Sequence, residues 1–219
     1  MLIDERGREA VPKSPHRRVG FISCSWLQEE QVGYESLLEL NFARIALLCP
    51  ELASIRSQPF SLTFPDGTKY TPDFRLNFAN KLTIIAEVKP SKFVRQHKEK
   101  LDAAADFLRS HGFTFLIATE EQIYKGGRDA KASVYIRYAR SHYPPNVVMD
   151  AMAKMNAQLT PCSIDTAARS VNCPRELVLH LIGIRQLAVG PSLDDQVYVP
   201  SALKELRNGD FCPASWLNN

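Results

Sequence analysis

Two short words in this chain could do chemistry together. Pro72-Asp73 is followed, fourteen positions after the aspartate, by Glu87-Val88-Lys89 at the end of the apolar run 82–89. Side chains alternate faces along a strand, so Glu87 and Lys89 should point one way and Val88 into the core. That sets a carboxylate beside an ammonium group at the mouth of a sheet. With Asp73 on a neighbouring strand, the two carboxylates would hold a hard divalent cation through oxygen, and Lys89 would steady an attacking water or the charge growing on a phosphate. The chemistry implied is metal-dependent phosphodiester hydrolysis. Both words are common in proteins, so the reading gains weight only from the elements that carry them.

Those elements are legible. Residues 34–49 have the length and residue types of a helix buried around most of its circumference, with Glu35 and Glu39 one turn apart and Pro50 as its stop. Segments 55–64 and 69–78 read as strands joined at Pro65-Asp66-Gly67, and Asn80-Lys81 turns the chain into a third strand ending at Lys89. This meander places Asp73 and Glu87 on neighbours. A short strand is expected within 19–26, a helix over 92–110 closed by His111-Gly112, and a buried strand over 113–118. Strand, crossover helix and strand imply a parallel pair, so the sheet is mixed. Gly126-Gly127 precedes a helix over 129–141, and Pro144-Pro145 marks a domain boundary.

The last stretch differs. Segments 147–159, 163–171 and 174–187 read as three helices and 188–199 as a hairpin, which together make a winged helix-turn-helix. The expected organisation is a basic arm over 1–18, a catalytic α/β domain over 19–144 and a winged-helix domain with a short tail over 146–219.

Composition narrows the classes. With 219 residues and 45% apolar content the chain can build a proper core. The formal charge of +3 is unevenly placed: residues 1–145 carry 21 Lys and Arg against 17 acids, and 146–219 carry 6 against 7. Only the first part looks built to meet a polyanion. The arm contributes Arg6, Arg8, Lys13, Arg17 and Arg18. After the motif, Lys92, Arg95 and Lys98 recur at threes beside Lys89, near His97 and Lys100, and form a stripe that could hold DNA phosphates without reading sequence. The first residues carry charges where a signal peptide needs its apolar stretch, and no later run suits a membrane span, so a soluble, cytoplasmic protein is expected. The five cysteines, Cys24, Cys49, Cys162, Cys173 and Cys212, are scattered and read as reduced thiols.

Asp73, Glu87 and Lys89, with an acid from the preceding helix, resemble the PD-(D/E)xK nuclease pattern. Leu38-Glu39-Leu40, Ile55-Arg56 with Gln58-Pro59-Phe60, Thr71-Pro72-Asp73-Phe74 and Val88-Lys89-Pro90 resemble, in order, the signature of the TnsA endonuclease family of cut-and-paste transposons. The C-terminal domain is similar too. The resemblance implies a restriction-endonuclease-like fold: a mixed sheet flanked by helices, then a small winged-helix domain. It sets the family's catalytic Glu on Glu39, its Asp on Asp73 and its Lys on Lys89, with Glu87 at a position some relatives fill with Gln. Asp73, Glu87 and Glu39 would then hold Mg2+, with Mn2+ able to substitute. Glu35 is read as a solvated or capping acid near the helix start, and Gln58 as a satisfied polar residue of the sheet, with leaning on the site as the alternative. The resemblance also implies double-stranded DNA as substrate, at transposon ends, a TnsB-like transposase as partner, and a TnsC-like ATPase that engages the C-terminal domain. The near-neutral charge of that domain points the same way, to a protein rather than DNA, with Phe211 and Trp216 as candidate anchors. The rival readings are a stand-alone nuclease of repair or phage defence, and a non-catalytic adaptor bridging DNA and an ATPase.

Overall fold

The computed structural model describes residues 1–4, 18–158, 161–199 and 211–219, which divide into two compact units. One comprises Met1–Ala43 and Glu51–Tyr124, the other Arg44–Pro50 and Lys125–Asn219.

The first unit holds a four-stranded mixed sheet. Strands β4 (Leu52–Ser57), β7 (Phe74–Phe78), β8 (Thr83–Val88) and β9 (Thr114–Ala118) lie side by side in that order. The first two junctions are antiparallel, and β8 and β9 run parallel. Ile84 to Val88 are all buried, as befits a central strand covered on both faces. Ahead of the sheet run β1 (Leu2–Asp4), a hairpin of β2 (Gly20–Ile22) and β3 (Val32–Tyr34), and helix α1 (Leu37–Leu47). Between β8 and β9 come α2 (Ser91–Gln96) and α3 (Lys98–Ser110), and α4 (Glu120–Tyr124) closes the unit.

The expected long hairpin 55–64/69–78 is split into two storeys. Its base is β4 and β7, but its tip, β5 (Ser61–Thr63) and β6 (Lys69–Tyr70), joins β1 in a separate three-stranded sheet with β5 in the middle. The reason lies at the level where the strands break. Pro59 and Pro72 have no N–H to donate to a ladder, and Gln58 takes a left-handed φ of 45° that turns the chain out of β4. The turn at the tip is as read: Gly67 adopts φ 82°, and Asp66 accepts hydrogen bonds from the Thr68 amide and hydroxyl. The start of the chain differs from expectation, because Leu2–Asp4 form β1 where an arm was read. Ile3 packs on the apolar cluster of Phe60, Leu62, Tyr70, Ile85, Leu101, Ala104 and Leu108, which joins the small sheet to β8 and α3. The arm from 5 to 17 lies outside the described residues.

The helix expected over 92–110 is also interrupted. His97 (φ −109°, ψ 20°) ends α2 and begins α3. Glu120 holds the start of α2, accepting from the Ser91 amide at 2.7 Å and hydroxyl at 2.8 Å. At the outer edge of the large sheet, the carboxamide of Gln28 accepts from the Ile55 amide and donates to the Ile55 carbonyl, both at 2.9 Å.

The second unit contains α5 (Arg128–Ala139), α6 (Pro145–Gln158), α7 (Ile164–Ser170), α8 (Arg175–Gly183) and α9 (Pro213–Leu217), with a three-stranded antiparallel sheet ordered β10 (Cys162–Ser163), β12 (Gln196–Tyr198), β11 (Ala188–Val189). Its main segment begins at Lys125, ahead of the Pro144-Pro145 break. Helix α8 is shorter than read: Arg185 leaves it in the left-handed region (φ 62°), and the Gln186 amide closes back on the Leu181 carbonyl at 2.8 Å. Leu177 to Gly183 are all buried. A β-carbon on Gly183 would stand 2.4 Å from the Tyr135 carbonyl oxygen, so α5 and α8 can approach this closely only because the residue is glycine. Trp216, read as a partner anchor, is fully buried within this unit. The buried Arg128 donates to the carbonyls of Trp216, Leu217 and Asn219 at 3.1–3.3 Å, supplying the last turn of α9 with the donors its own backbone lacks. Burial pushes that guanidinium down to about 10. No helix among the described residues is long and apolar enough to cross a membrane.

Candidate active site

The level at which the hairpin breaks is where the chemistry gathers. Asp73 sits immediately before β7, and its backbone is fixed by the Gln58 amide, which donates to the Asp73 carbonyl at 2.8 Å. From there its carboxylate reaches the neighbouring strand: Oδ2 accepts from the Val88 amide at 2.7 Å, and Oδ1 takes no hydrogen bond from the described residues. Glu87 is buried near the end of β8. Lys89, one residue beyond the strand, is pinned to β9 by the hydrogen bond its amide donates to the Ala118 carbonyl at 3.0 Å. Its Nζ lies 2.6 Å from Glu87 Oε1, the same-face neighbour that alternation requires.

A cavity of about 670 Å³ opens here, lined among others by Asp73, Glu87, Lys89, Glu35, Gln58 and Tyr70. Ser61 and Thr71, whose hydroxyls share a hydrogen bond of 2.6 Å, form part of its wall, and Lys69, His97 and Lys100 its basic side. Of the sequence-predicted acids, Asp73 and Glu87 therefore meet, with Lys89 between them and solvent. Glu39 takes a different place. Its Oε2 accepts from the Glu35 amide at 2.7 Å and its Oε1 from the Ser36 hydroxyl at 2.8 Å, while Ser36 Oγ accepts from the Glu39 amide at 3.1 Å. This reciprocal cap starts α1 and stabilises it by about 1 kcal/mol. The helix-start acid that lines the cavity is Glu35.

The electrostatics still tie these groups together. Burial, then the charges of Glu87 and Glu39, hold the Asp73 carboxyl well above the usual carboxylate range, against the pull of the Val88 amide and Lys89. Burial likewise raises Glu39, opposed by its two hydrogen bonds. Three carboxyls thus crowd one lysine, and the charge that they would carry together exceeds what it offsets. Hard carboxylate oxygens with an electrostatic demand for positive charge fit a divalent cation. Among the described residues no three His, Cys, Asp or Glu side chains are gathered as a metal-binding group, so an ion held by Asp73 and Glu87 would complete its shell with water or substrate oxygen, as Mg2+ commonly does.

The break at His97 separates the residues of the predicted phosphate stripe: Lys92 and Arg95 lie three apart on α2, and Lys98 begins α3. None of the three lines the cavity. Lys92 lies over the Phe93 ring at 4.7 Å, and Lys98 pairs with Asp102 one turn on. The lysines that line the cavity besides Lys89 are Lys69 and Lys100, Lys100 donating to the Lys69 carbonyl at 2.9 Å. Sequence reasoning also missed Asp4 and Tyr70, which line the cavity from β1 and β6. Tyr70 stands only two residues before Pro72, but its place becomes visible only once the hairpin tip folds over as a second sheet.

Residues 49–120 match the family described as TnsA-like endonuclease N terminal. No curated protein matches the chain. The matched span holds Gln58, Asp73, Glu87 and Lys89 and the strands that bring them together, so over this part of its length the chain is similar to the TnsA-like endonucleases.

Proposed function

We propose that this chain is a divalent-cation-dependent DNA endonuclease, the TnsA-type subunit of a heteromeric transposase that cuts the 5′ ends of a transposon while a TnsB-like transposase handles the 3′ ends. The observation that carries this reading is the convergence of Asp73, Glu87 and Lys89 on one cavity within the span matched by the family. Asp73 and Glu87 would hold Mg2+, or Mn2+ in its stead. When bound, the ion polarises the phosphate and lowers the proton affinity of water. Lys89 supplies fixed positive charge where the phosphate gains negative charge in the transition state. Glu39 holds the start of α1 and adds its charge to the acidic cluster, and Glu35 faces the cavity from the same helix start.

The second unit is read as a winged-helix module that engages a TnsC-like ATPase. Support comes from the order α6, β10, α7, α8, β11, β12, three helices interleaved with a small antiparallel sheet, and from the third of those helices, α8, too buried to enter a DNA groove. Sequence preference would then come largely from the partners.

A nicking assay tests the site. Supercoiled DNA carrying candidate transposon ends is incubated with Mg2+ or Mn2+, with and without the candidate transposase, using wild type, Asp73→Ala and Lys89→Ala. Each substitution is expected to lower cleavage by roughly 100-fold or more. Equal cleavage by all three proteins would refute the assignment.

A further inference from the structure

Tyr70 belongs to β6, in the small sheet, yet its phenol crosses to the large sheet and donates to Glu87 Oε2 at 2.8 Å. The other oxygen of that carboxylate, Oε1, is taken by Lys89 Nζ at 2.6 Å. Glu87 is therefore gripped on both oxygens by donors from different elements, which fixes the plane of a carboxylate that could otherwise rotate. The two donors differ in kind. Lys89 sits on a flexible stem and is a quarter exposed, whereas Tyr70 is a rigid ring, 9% exposed, packed at 6.5 Å from the Phe64 ring within the apolar cluster beneath the site. A stiff side chain anchored in a core is the better reference point for orienting an acid.

The strand that carries Tyr70 is itself held from three directions. It pairs with β5, whose other neighbour is β1. Lys100 on α3 donates to the Lys69 carbonyl beside it, and the hydroxyls of Ser61 and Thr71 join across its end. The small sheet thus reads as a platform that aims one phenol at one carboxylate.

We infer that Tyr70 is a positioning residue: it orients Glu87 for the divalent cation, so that the hairpin tip, and through it β1, sets the affinity of the site. This rests on the reading of Asp73 and Glu87 as cation-holding residues. A carboxylate held only by Lys89 would swing with it and present its oxygens less often in the geometry a cation needs, and losing an outer hydrogen bond of this kind typically costs 10- to 100-fold in metal affinity.

The test uses Tyr70→Phe, which keeps the ring and its packing and removes only the donor. Mn2+ binding to the full chain is measured by titration calorimetry for wild type, Tyr70→Phe, Asp73→Asn and Val178→Ala, the last opening a cavity in the buried core of the other unit without touching the small sheet or Glu87. The expected result is wild-type binding that Asp73→Asn abolishes, that Tyr70→Phe weakens about tenfold, and that Val178→Ala leaves within twofold. Equal affinity of wild type and Tyr70→Phe overturns the inference while leaving the cation site standing, and so does an equal loss in Val178→Ala and Tyr70→Phe. Absence of Mn2+ binding by wild type overturns the cation site and the inference with it. A cation-free arm separates the contact from the metal: the thermal midpoints of Tyr70→Phe, Glu87→Gln and the double variant should be non-additive, and additive shifts would show that the hydrogen bond orients nothing.

Discussion

At the residue scale, Asp73 shows how a site stores an electrostatic debt. Its carboxyl binds a proton more readily in the folded protein than in the unfolded chain, because burial and the charges of Glu87 and Glu39 outweigh the Val88 amide and Lys89. Between the ordinary carboxylate range and the raised folded value, the folded state holds more protons than the unfolded one, so the stability of the cation-free protein falls as pH rises through that window. Asp73→Asn has no charge to bury and keeps an oxygen for the Val88 amide. Urea denaturation of the metal-free proteins should therefore find it more stable than wild type by about 1 kcal/mol at neutral pH, with the gain vanishing in acid. A gain that grew in acid would contradict the electrostatic account. The same substitution ends catalysis under the proposed function, so stability and activity should move in opposite directions.

At the element scale, the strands and helices that present the motif were readable, and the breaks that aim it were not. The run up to Lys89, the turn at Asp66-Gly67 and the crossover to β9 follow from apolar runs and turn residues that act locally. The kink at Gln58 depends on a left-handed residue with no glycine to announce it, and the interruption at His97 has no proline or glycine to mark it. Both decided which side chains reach the cavity: Tyr70 in place of a plain strand residue, Lys100 in place of Lys98. Glu35 and Glu39 are a similar case, because one turn of helix separates a capping acid from a cavity acid and only the hydrogen bonds of Ser36 tell them apart. The contact of α5 with α8 gives a sharp test at this scale. Gly183→Ala gains about 1 kcal/mol of helix propensity, but its methyl would meet backbone atoms at 2.4 and 2.9 Å that cannot swing away. The clash should win, with a net loss of about 2 kcal/mol in thermal or urea denaturation. Wild-type stability would show that the helices separate at little cost.

At the scale of the whole molecule, charge is divided as the chemistry would want it. The basic excess lies in residues 1–145, and the cavity draws on it through Lys69, Lys89, His97 and Lys100. Lys69→Gln combined with Lys100→Gln should weaken binding to duplex DNA and lower the slope of log affinity against log salt by about 2, as expected for two lost phosphate contacts, when followed by fluorescence anisotropy across a salt series. An unchanged slope would move the phosphate track elsewhere. The large sheet also ends in an outer strand, β4, and an open strand border invites another chain to add to it. Gln28 meets that hazard by presenting its side-chain amide to Ile55 as a neighbouring backbone would, filling one rung of the ladder with a single residue. A single side chain thereby closes part of this flank to the strand of a second copy.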